Sequence, residues 1–128
     1  MEKRENEIAA VIVDAAVEVH RTLGGPGLLE SVYEEAMVWE LTARGIPVRR
    51  QVPLPIHYKG HPLSSPLVMD MLADERVIIE NKAVAQYNAL FEAQCLTYLR
   101  LTGLKLGLVL NFGERWMKDG VHRVVNGL

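Results

Sequence analysis

The sequence predicts a single α/β domain organised around a mixed β-sheet. Two amphipathic helical segments come first, three extended segments follow, and a third helix separates these from two final strands. The chain has 128 residues, of which 49% are hydrophobic and 23% charged, which suits one core and leaves little room for a second. We therefore expect residues 1–128 to form one domain with the element order α-α-β-β-β-α-β-β.

The two N-terminal helices follow from the spacing of apolar residues. These residues recur every three or four positions over 4–22, which predicts an amphipathic helix. The Gly-Gly-Pro-Gly segment at 24–27 ends that helix, because glycine and proline do not continue it. A second helix is predicted over residues 28–44. Its apolar face is formed by Leu29, Val32, Tyr33, Ala36, Met37 and Leu41.

The segment 48–58 is predicted to be extended, with alternate apolar residues on one face: Val52, Leu54, Ile56 and Tyr58. Pro53 and Pro55 alternate with them. Because proline has no N–H to donate, this strand should have a free edge or an irregular stretch. The remaining elements are a hairpin, a helix and two strands. They are predicted at residues 67–72 and 77–83, at Asn88–Thr102, and at 105–111 and 121–125.

Composition limits the classes of function. The net charge of −2 argues against a strongly basic surface for nucleic acid, although a bound metal and a local basic patch could supply the required field. The single cysteine, Cys95, permits no internal disulfide and is typical of a reducing compartment. No apolar run approaches the ~20 residues of a membrane span. We expect a cytoplasmic protein.

The hairpin carries acids at strand positions where a buried strand would normally have apolar residues. Asp70 lies in its first strand and Glu80 in its second, and Lys82 follows two residues later. Side chains of a strand alternate, so Glu80 and Lys82 should share a face, away from Val77 and Ile79. Buried charges are costly unless they are paired or bound to an ion. The hairpin therefore predicts a site for a hard divalent cation and a phosphate group.

A shared cation site requires one particular strand register. If Asp70 lies opposite Glu80, residue 72 lies opposite 78 and the loop is formed by residues 74–76, unless a bulge compensates. A two-residue turn at 74–75 would send the two acids to opposite faces of the sheet. We predict the first register.

Two further motifs accompany the hairpin. Gln94 and Tyr98 lie one turn apart on the third helix. Gly27, Glu30 and Tyr33 lie at the start of the second helix, where Glu30 and Tyr33 share a face that borders the apolar stripe.

Together these residues resemble the PD-(D/E)xK nuclease superfamily, and most closely its small GxxExxY family. Gly27, Glu30 and Tyr33 match the motif that names the family. Asp70, Glu80 and Lys82 match the D…ExK motif, and Gln94 and Tyr98 match the QxxxY motif of RecB-type nucleases. Met69 stands where the superfamily name has a proline. The resemblance spans nearly the whole chain and implies a restriction-endonuclease-like core.

The resemblance implies a centre for Mg²⁺ or Mn²⁺. Asp70 and Glu80 would be the metal ligands, with the backbone carbonyl of Asn81 as a third. Glu30 would join through water or hold a second ion. Such a centre agrees with the preference of Mg²⁺ for a few carboxylates, retained waters and phosphate oxygens.

The resemblance also implies roles for the remaining motif residues. Lys82 would position or deprotonate the attacking water, while Gln94 and Tyr98 would orient Lys82 or a substrate phosphate. The implied function is metal-dependent hydrolysis of phosphodiester bonds, in DNA rather than RNA. The alternatives are a catalytically silent module that binds nucleic acid or a protein partner, and a structural dimerisation domain in a larger complex. The exposed strand edge and the first helix are each candidate surfaces for a homodimer or a protein partner.

Each candidate residue also has a purely structural interpretation. The hairpin charges could form an ion-paired strand face, and Glu30 could simply stabilise the first turn of a helix. Gln94 and Tyr98 could pack on the sheet. His20 could cap or pack rather than approach the site. Trp39 and Trp116 are interpreted as core or rim aromatics rather than as platforms for stacked bases.

Overall fold

The computed structural model describes residues 2–64 and 67–128, without the side chains of residues 2 and 3. It confirms the α/β class, with three helices around a mixed sheet of five strands. The helices are α1 (Glu2–Thr22), α2 (Glu30–Ala43) and α3 (Leu90–Thr102). The strands are β1 (Val48–Leu54), β2 (His57–Tyr58), β3 (His61–Pro62), β4 (Leu67–Ala73), β5 (Val77–Lys82), β6 (Leu106–Asn111) and β7 (Val121–Val125), with a 3₁₀ turn at Met117–Gly120.

The sheet has the strand order β1-β4-β5-β6-β7. Strands β5 and β6 run parallel and are joined through α3, because a parallel connection needs a crossover element. The other neighbouring strands are antiparallel. Strands β2 and β3 form a separate two-stranded ribbon, which the predicted element order did not include.

Apolar cores lie on both faces of the sheet. Helices α1 and α2 cover one face, over a core that includes Met71, Val77 and Ile79. Helix α3 covers the other face, over a core that includes Leu72 and Ile78. These two cores are named here the α1–α2 core and the α3 core. Each side chain of the central strands faces one or the other. Within the described residues, no helix has both the length and the apolar character needed to cross a membrane.

Helix α2 begins later than predicted and buries only part of the predicted apolar face. Leu29, predicted to lie on the apolar face, precedes the helix in an extended conformation and is 74% exposed. Val32 is also exposed. The side chains that α2 buries are Tyr33, Glu34, Met37 and Leu41. Tyr33, Met37 and Leu41 are buried as predicted, but the predicted start was wrong because Leu29 is extended, so the first helical residue is Glu30.

The predicted strand at 48–58 is shorter than expected. Strand β1 ends at Leu54, directly before Pro55, and Tyr58 lies exposed in the β2–β3 ribbon. Because Pro55 has no N–H, it cannot continue the ladder. The predicted free edge is confirmed, since β1 is an outer strand of the sheet and Pro53 pairs with Val68 there.

Candidate active site

The hairpin of β4 and β5 has the predicted register. Leu72 lies opposite Ile78, and the turn consists of residues 74–76. Asp74 and Glu75 both adopt a positive φ of 54°, and the N–H of Arg76 donates to the carbonyl of Ala73 at 3.0 Å. Two positive φ values are typical of the tight turns that match strand twist. Met71 then lies opposite Ile79, and one step further along this register are the two predicted acids.

The backbone ladder stops where these acids lie, and their side chains take its place. The N–H of Asp70 donates to Glu80 Oε2 at 3.0 Å, and the N–H of Asn81 donates to Asp70 Oδ2 at 2.8 Å. Among the described residues, no hydrogen bond involves Asp70 Oδ1 or Glu80 Oε1. Each carboxylate therefore keeps one oxygen free for a cation.

The sheet is irregular at the same level. Met71 lies in the α1–α2 core and Met69 in the α3 core, although residues two apart in a regular strand share a face. Strand β1 has the same reversal, because Val48 packs on the α1–α2 core and Val52 lies in the α3 core. Gln51, which lies between them, has a φ of 49°. The reversal opens the sheet beside the acids.

Burial makes both acids unfavourable as anions. Burial raises the pKa of Glu80 to about 8, and the neighbouring charge of Asp70 adds to this effect. Burial also raises the pKa of Asp70, although the hydrogen bond from the N–H of Asn81 lowers it in part. A cation between two such carboxylates would favour the charged forms of both. The pair thus resembles a cation site more closely than a surface ion pair.

Glu34 is a site residue that the sequence analysis missed. It is only 6% exposed, and its negative charge contributes to the raised pKa of both Asp70 and Glu80. Its carboxylate accepts hydrogen bonds from Arg50 Nε at 3.0 Å and from Gln51 Nε2 at 3.0 Å. Position 34 belongs to the buried stripe of α2, where an acid is unusual, and that signal could have identified it.

Glu30 lies one turn earlier, as the first residue of α2, and is exposed. Its charge also raises the pKa of Asp70, but by less than the charge of Glu34 does. The helix therefore brings two acids toward the hairpin, and the buried one acts on it more strongly. The role of Glu30 stays a prediction.

Lys82 ends β5 and faces α3. Its Nζ lies 4.6 Å from the ring centroid of Phe91, and its positive charge lowers the pKa of both Asp70 and Glu80. The charge of Glu80 in turn raises the pKa of two α3 residues, Cys95 and Tyr98, after the larger effect of their burial. These relationships agree with the expected shared face of Glu80 and Lys82.

Asn111 holds the segment that follows Lys82. Its Oδ1 accepts hydrogen bonds from the N–H groups of Val84 and Gly113, each at 3.0 Å. Its Nδ2 donates to the carbonyl of Val84 at 3.1 Å, and Asn111 itself is fully buried. The ends of β5 and β6 are therefore tied together beside the site.

The two residues of the predicted α3 motif differ in their surroundings. Tyr98 is half-buried, and burial followed by the charges of Glu80 and Asp70 raises its pKa, which places it on the side of the acids. Gln94, one turn earlier, is exposed. Asn88 makes the predicted capping bond, since its Oδ1 accepts a hydrogen bond from the N–H of Leu90 at 2.9 Å, although the residue directly before the helix is Ala89.

The residues present fit a hard cation without forming a closed cage. In the part of the chain that the structure describes, no three His, Cys, Asp or Glu side chains are grouped to hold a metal ion. Two carboxylates with free oxygens, and a third carboxylate nearby, are nevertheless the donor type that Mg²⁺ uses together with water. The carbonyl of Asn81 stays a predicted third ligand.

Three aromatic residues were given structural interpretations. His20 is buried, and its Nε2 lies 2.8 Å from the carbonyl oxygen of Glu114, as a packing histidine would. Trp39 is 68% and Trp116 57% exposed. Of the two predicted alternatives, core or rim, the exposure of both tryptophans excludes the core.

A sequence profile of the PD-(D/E)XK nuclease superfamily matches residues 6–124. The match covers nearly the whole chain and includes every motif residue described above, and the fold has the mixed sheet flanked by helices of a restriction-endonuclease-like domain. The chain therefore belongs to the PD-(D/E)XK nuclease superfamily. Neither a curated protein nor a solved structure matches it.

Proposed function

We propose that this protein is a metal-dependent nuclease of the GxxExxY type, which hydrolyses phosphodiester bonds in DNA in preference to RNA. The observation that carries the proposal is the pairing of Asp70 and Glu80 at the opened end of the hairpin. Each has a raised pKa and one free oxygen. Membership of a superfamily of nucleases supports the reaction class.

The cation would be Mg²⁺ or Mn²⁺, held by Asp70, Glu80 and the backbone carbonyl of Asn81. Such an ion lowers the pKa of bound water and stabilises negative charge on phosphate oxygens. Glu34, and Glu30 beyond it, would act through water molecules. The buried position of Glu34 and its bonds from Arg50 support this arrangement.

Lys82 supplies the positive charge that faces the phosphate. Its placement at the end of β5, two residues after Glu80, lets its ammonium orient the attacking water, or lets its neutral amine take a proton from that water at Nζ. Asn111 keeps this strand end in position through its bonds to Val84. Tyr98 would orient Lys82 or a phosphate oxygen through its hydroxyl, and Gln94 would do so from the exposed side of α3.

The GxxExxY motif has a structural explanation in this fold. The hydroxyl of Tyr33 donates to the carbonyl of Gly25 at 2.8 Å and accepts from the N–H of Leu28 at 3.2 Å. Its ring stacks on Phe112 with the centroids 4.6 Å apart. Tyr33 thereby fixes the loop that contains Gly27 and leads into Glu30. The motif would set where the acidic face of α2 meets the hairpin.

Cleavage of labelled nucleic acids tests the proposal. Single-stranded, duplex and branched DNA and RNA should be incubated with Mg²⁺, Mn²⁺ or EDTA. We expect cleavage with either metal and none in EDTA, and a loss of about 100-fold or more for Glu80→Gln and Lys82→Ala. The matched controls are Glu75→Gln and Lys105→Ala, which change exposed residues. Cleavage by Glu80→Gln at the wild-type rate would reject the proposal.

A further inference from the structure

A cavity lies at the same end of the sheet as the two acids, outside the site described above. It has a volume of about 740 Å³ and lies between the end of α1, the loop 24–26 and the segment 115–118. Cavities of roughly 300–1,000 Å³ commonly bind small organic molecules or single units of a polymer. The volume is therefore sufficient for one nucleotide.

Both walls of the cavity are attached to elements that carry the candidate site. On one wall, the carbonyl of Gly25 accepts a hydrogen bond from the hydroxyl of Tyr33 on α2. On the other, Glu114 precedes the segment 115–118 and accepts a hydrogen bond from Asn111 Nδ2 at 3.3 Å. Asn111 in turn lies beside Lys82 in the parallel ladder. The cavity walls and the ends of β5 and β6 are therefore connected through these hydrogen bonds.

The lining of the cavity combines positive charge with an exposed aromatic ring. Arg115 and Lys118 contribute cationic groups, whereas Arg21 forms an ion pair with Glu18 at 2.6 Å, and no acidic residue lines the cavity in the described ranges. Trp116 is more than half exposed, and the guanidinium of Arg115 lies 5.1 Å from the centroid of its ring. The rest of the wall is formed by His20, the glycines at 24 and 25, and the apolar side chains of Val17, Pro26 and Met117.

We propose that this cavity binds one nucleotide of the single-stranded nucleic acid whose phosphodiester is cleaved at Asp70 and Glu80. Its base stacks on Trp116, and its phosphate is bound by Arg115 and Lys118. Aromatic rings beside cationic groups are the common means of binding single strands. A base inside an intact duplex is covered by its neighbours and cannot enter a concave site. The proposal rests on the proposed nuclease function and specifies its substrate class.

Binding of a fluorescein-labelled oligothymidine tests this proposal, measured by anisotropy in EDTA with the Glu80→Gln protein. We expect Trp116→Ala to weaken binding about tenfold or more, as the loss of one stacked base does. Trp39→Ala is the matched control, since it removes a tryptophan from α2 that is even more exposed than Trp116, and it should bind as the parent does. In a Trp39→Phe background, thymidine monophosphate should quench the fluorescence of Trp116, and inorganic phosphate should not.

Equal binding by Trp116→Ala and the parent would overturn the proposal, as would duplex DNA that competes as well as the single strand. Competition by polyglutamate at the same strength as oligothymidine would also overturn it, and would assign the cavity to an acidic protein. These results are independent of turnover. Binding that depends on Trp116, without any cleavage, would reject the proposed nuclease function and support the nucleotide site in the cavity. Cleavage with binding that does not depend on Trp116 would support the nuclease function and reject the nucleotide site.

Discussion

Glu80 accepts a hydrogen bond from the backbone N–H of Asp70 at 3.0 Å, at the point where their two strands separate. Asp70 in turn accepts one from the N–H of Asn81, which directly follows Glu80. The two acids thus replace the backbone ladder that ends at Met71 and Ile79. This exchange holds two carboxylates close together in a buried place, which is costly for the empty site and favourable for one that holds a cation.

Glu80→Gln should stabilise the protein in the absence of metal, and only above acidic pH. The folded-state pKa of Glu80 is raised to about 8 from an unfolded value of 4.5. Protonated Glu80 therefore contributes fully to the free energy of unfolding below pH 4.5, and this contribution is lost as pH rises through 8. Gln cannot ionise, yet its amide oxygen can accept the same hydrogen bond. We expect the free energy of unfolding in urea to rise by roughly 2–4 kcal/mol at pH 8 and to change little near pH 4.5.

The exposed Glu75→Gln is the matched control for that experiment, and its unfolding free energy should follow the wild type within about 0.5 kcal/mol at either pH. A Glu80→Gln protein that is less stable than the wild type at pH 8 without metal would contradict the inferred burial of a charged carboxylate.

Glu34→Gln should weaken both metal binding and cleavage by about 10- to 100-fold, the range found when a group that supports metal ligands is lost. Glu30→Gln should have a smaller effect, because Glu34 contributes more to the raised pKa of Asp70. Glu35→Gln changes an exposed neighbour on the same helix and serves as control. Mn²⁺ titration and initial cleavage rates give the two readouts. Equal activity of Glu34→Gln and Glu35→Gln would show that Glu34 is only structural.

Lys82→Ala should separate metal binding from turnover. Lys82 is predicted to act on water and phosphate and not to bind the ion, so its removal should lower the cleavage rate by about 100-fold or more. The affinity for Mn²⁺ should be unchanged or higher, since a nearby positive charge is removed. Loss of Mn²⁺ binding in Lys82→Ala, with the fold intact by circular dichroism, would contradict this role.

Asn111→Ala should destabilise the fold and displace the end of β5. The buried amide makes hydrogen bonds to Val84 and Gly113, and its removal leaves several buried backbone groups without partners. We expect a loss of about 2–4 kcal/mol in urea unfolding, because each unsatisfied buried group costs about 1–3 kcal/mol. Asn126→Ala is the control and should cost less, since Asn126 is only half-buried. Equal losses in the two variants would contradict the anchoring role.

The hairpin register could be predicted from sequence because it has a strong constraint. Two acids serve one cation only if they share a face, and a single-residue slip would separate them. The positions of β7 and of the Asn88 cap were equally predictable, from clear apolar and capping patterns.

Two features of the site were not predicted from the sequence. The positive φ of Gln51, which accompanies the reversal of β1 beside Asp70, is a tertiary effect that no local pattern encodes. Glu34 was missed because the predicted stripe of α2 began at Leu29, whereas the helix begins one residue later. When the apolar stripe is placed from Glu30 onward, Glu34 lies on it, three residues before the buried Met37. An acid at such a buried position indicates a functional residue.

Calorimetric titration of Mn²⁺ into the wild type, beside Glu80→Gln, tests the central claim most directly. We predict saturable binding to the wild type, tighter as pH rises toward 8, with protons released because the raised pKa of Glu80 keeps it protonated in the empty site. Glu80→Gln should bind much more weakly and release no such proton. A wild type that binds no Mn²⁺ at millimolar concentration, or a Glu80→Gln protein that binds it equally well, would contradict a cation site at the hairpin.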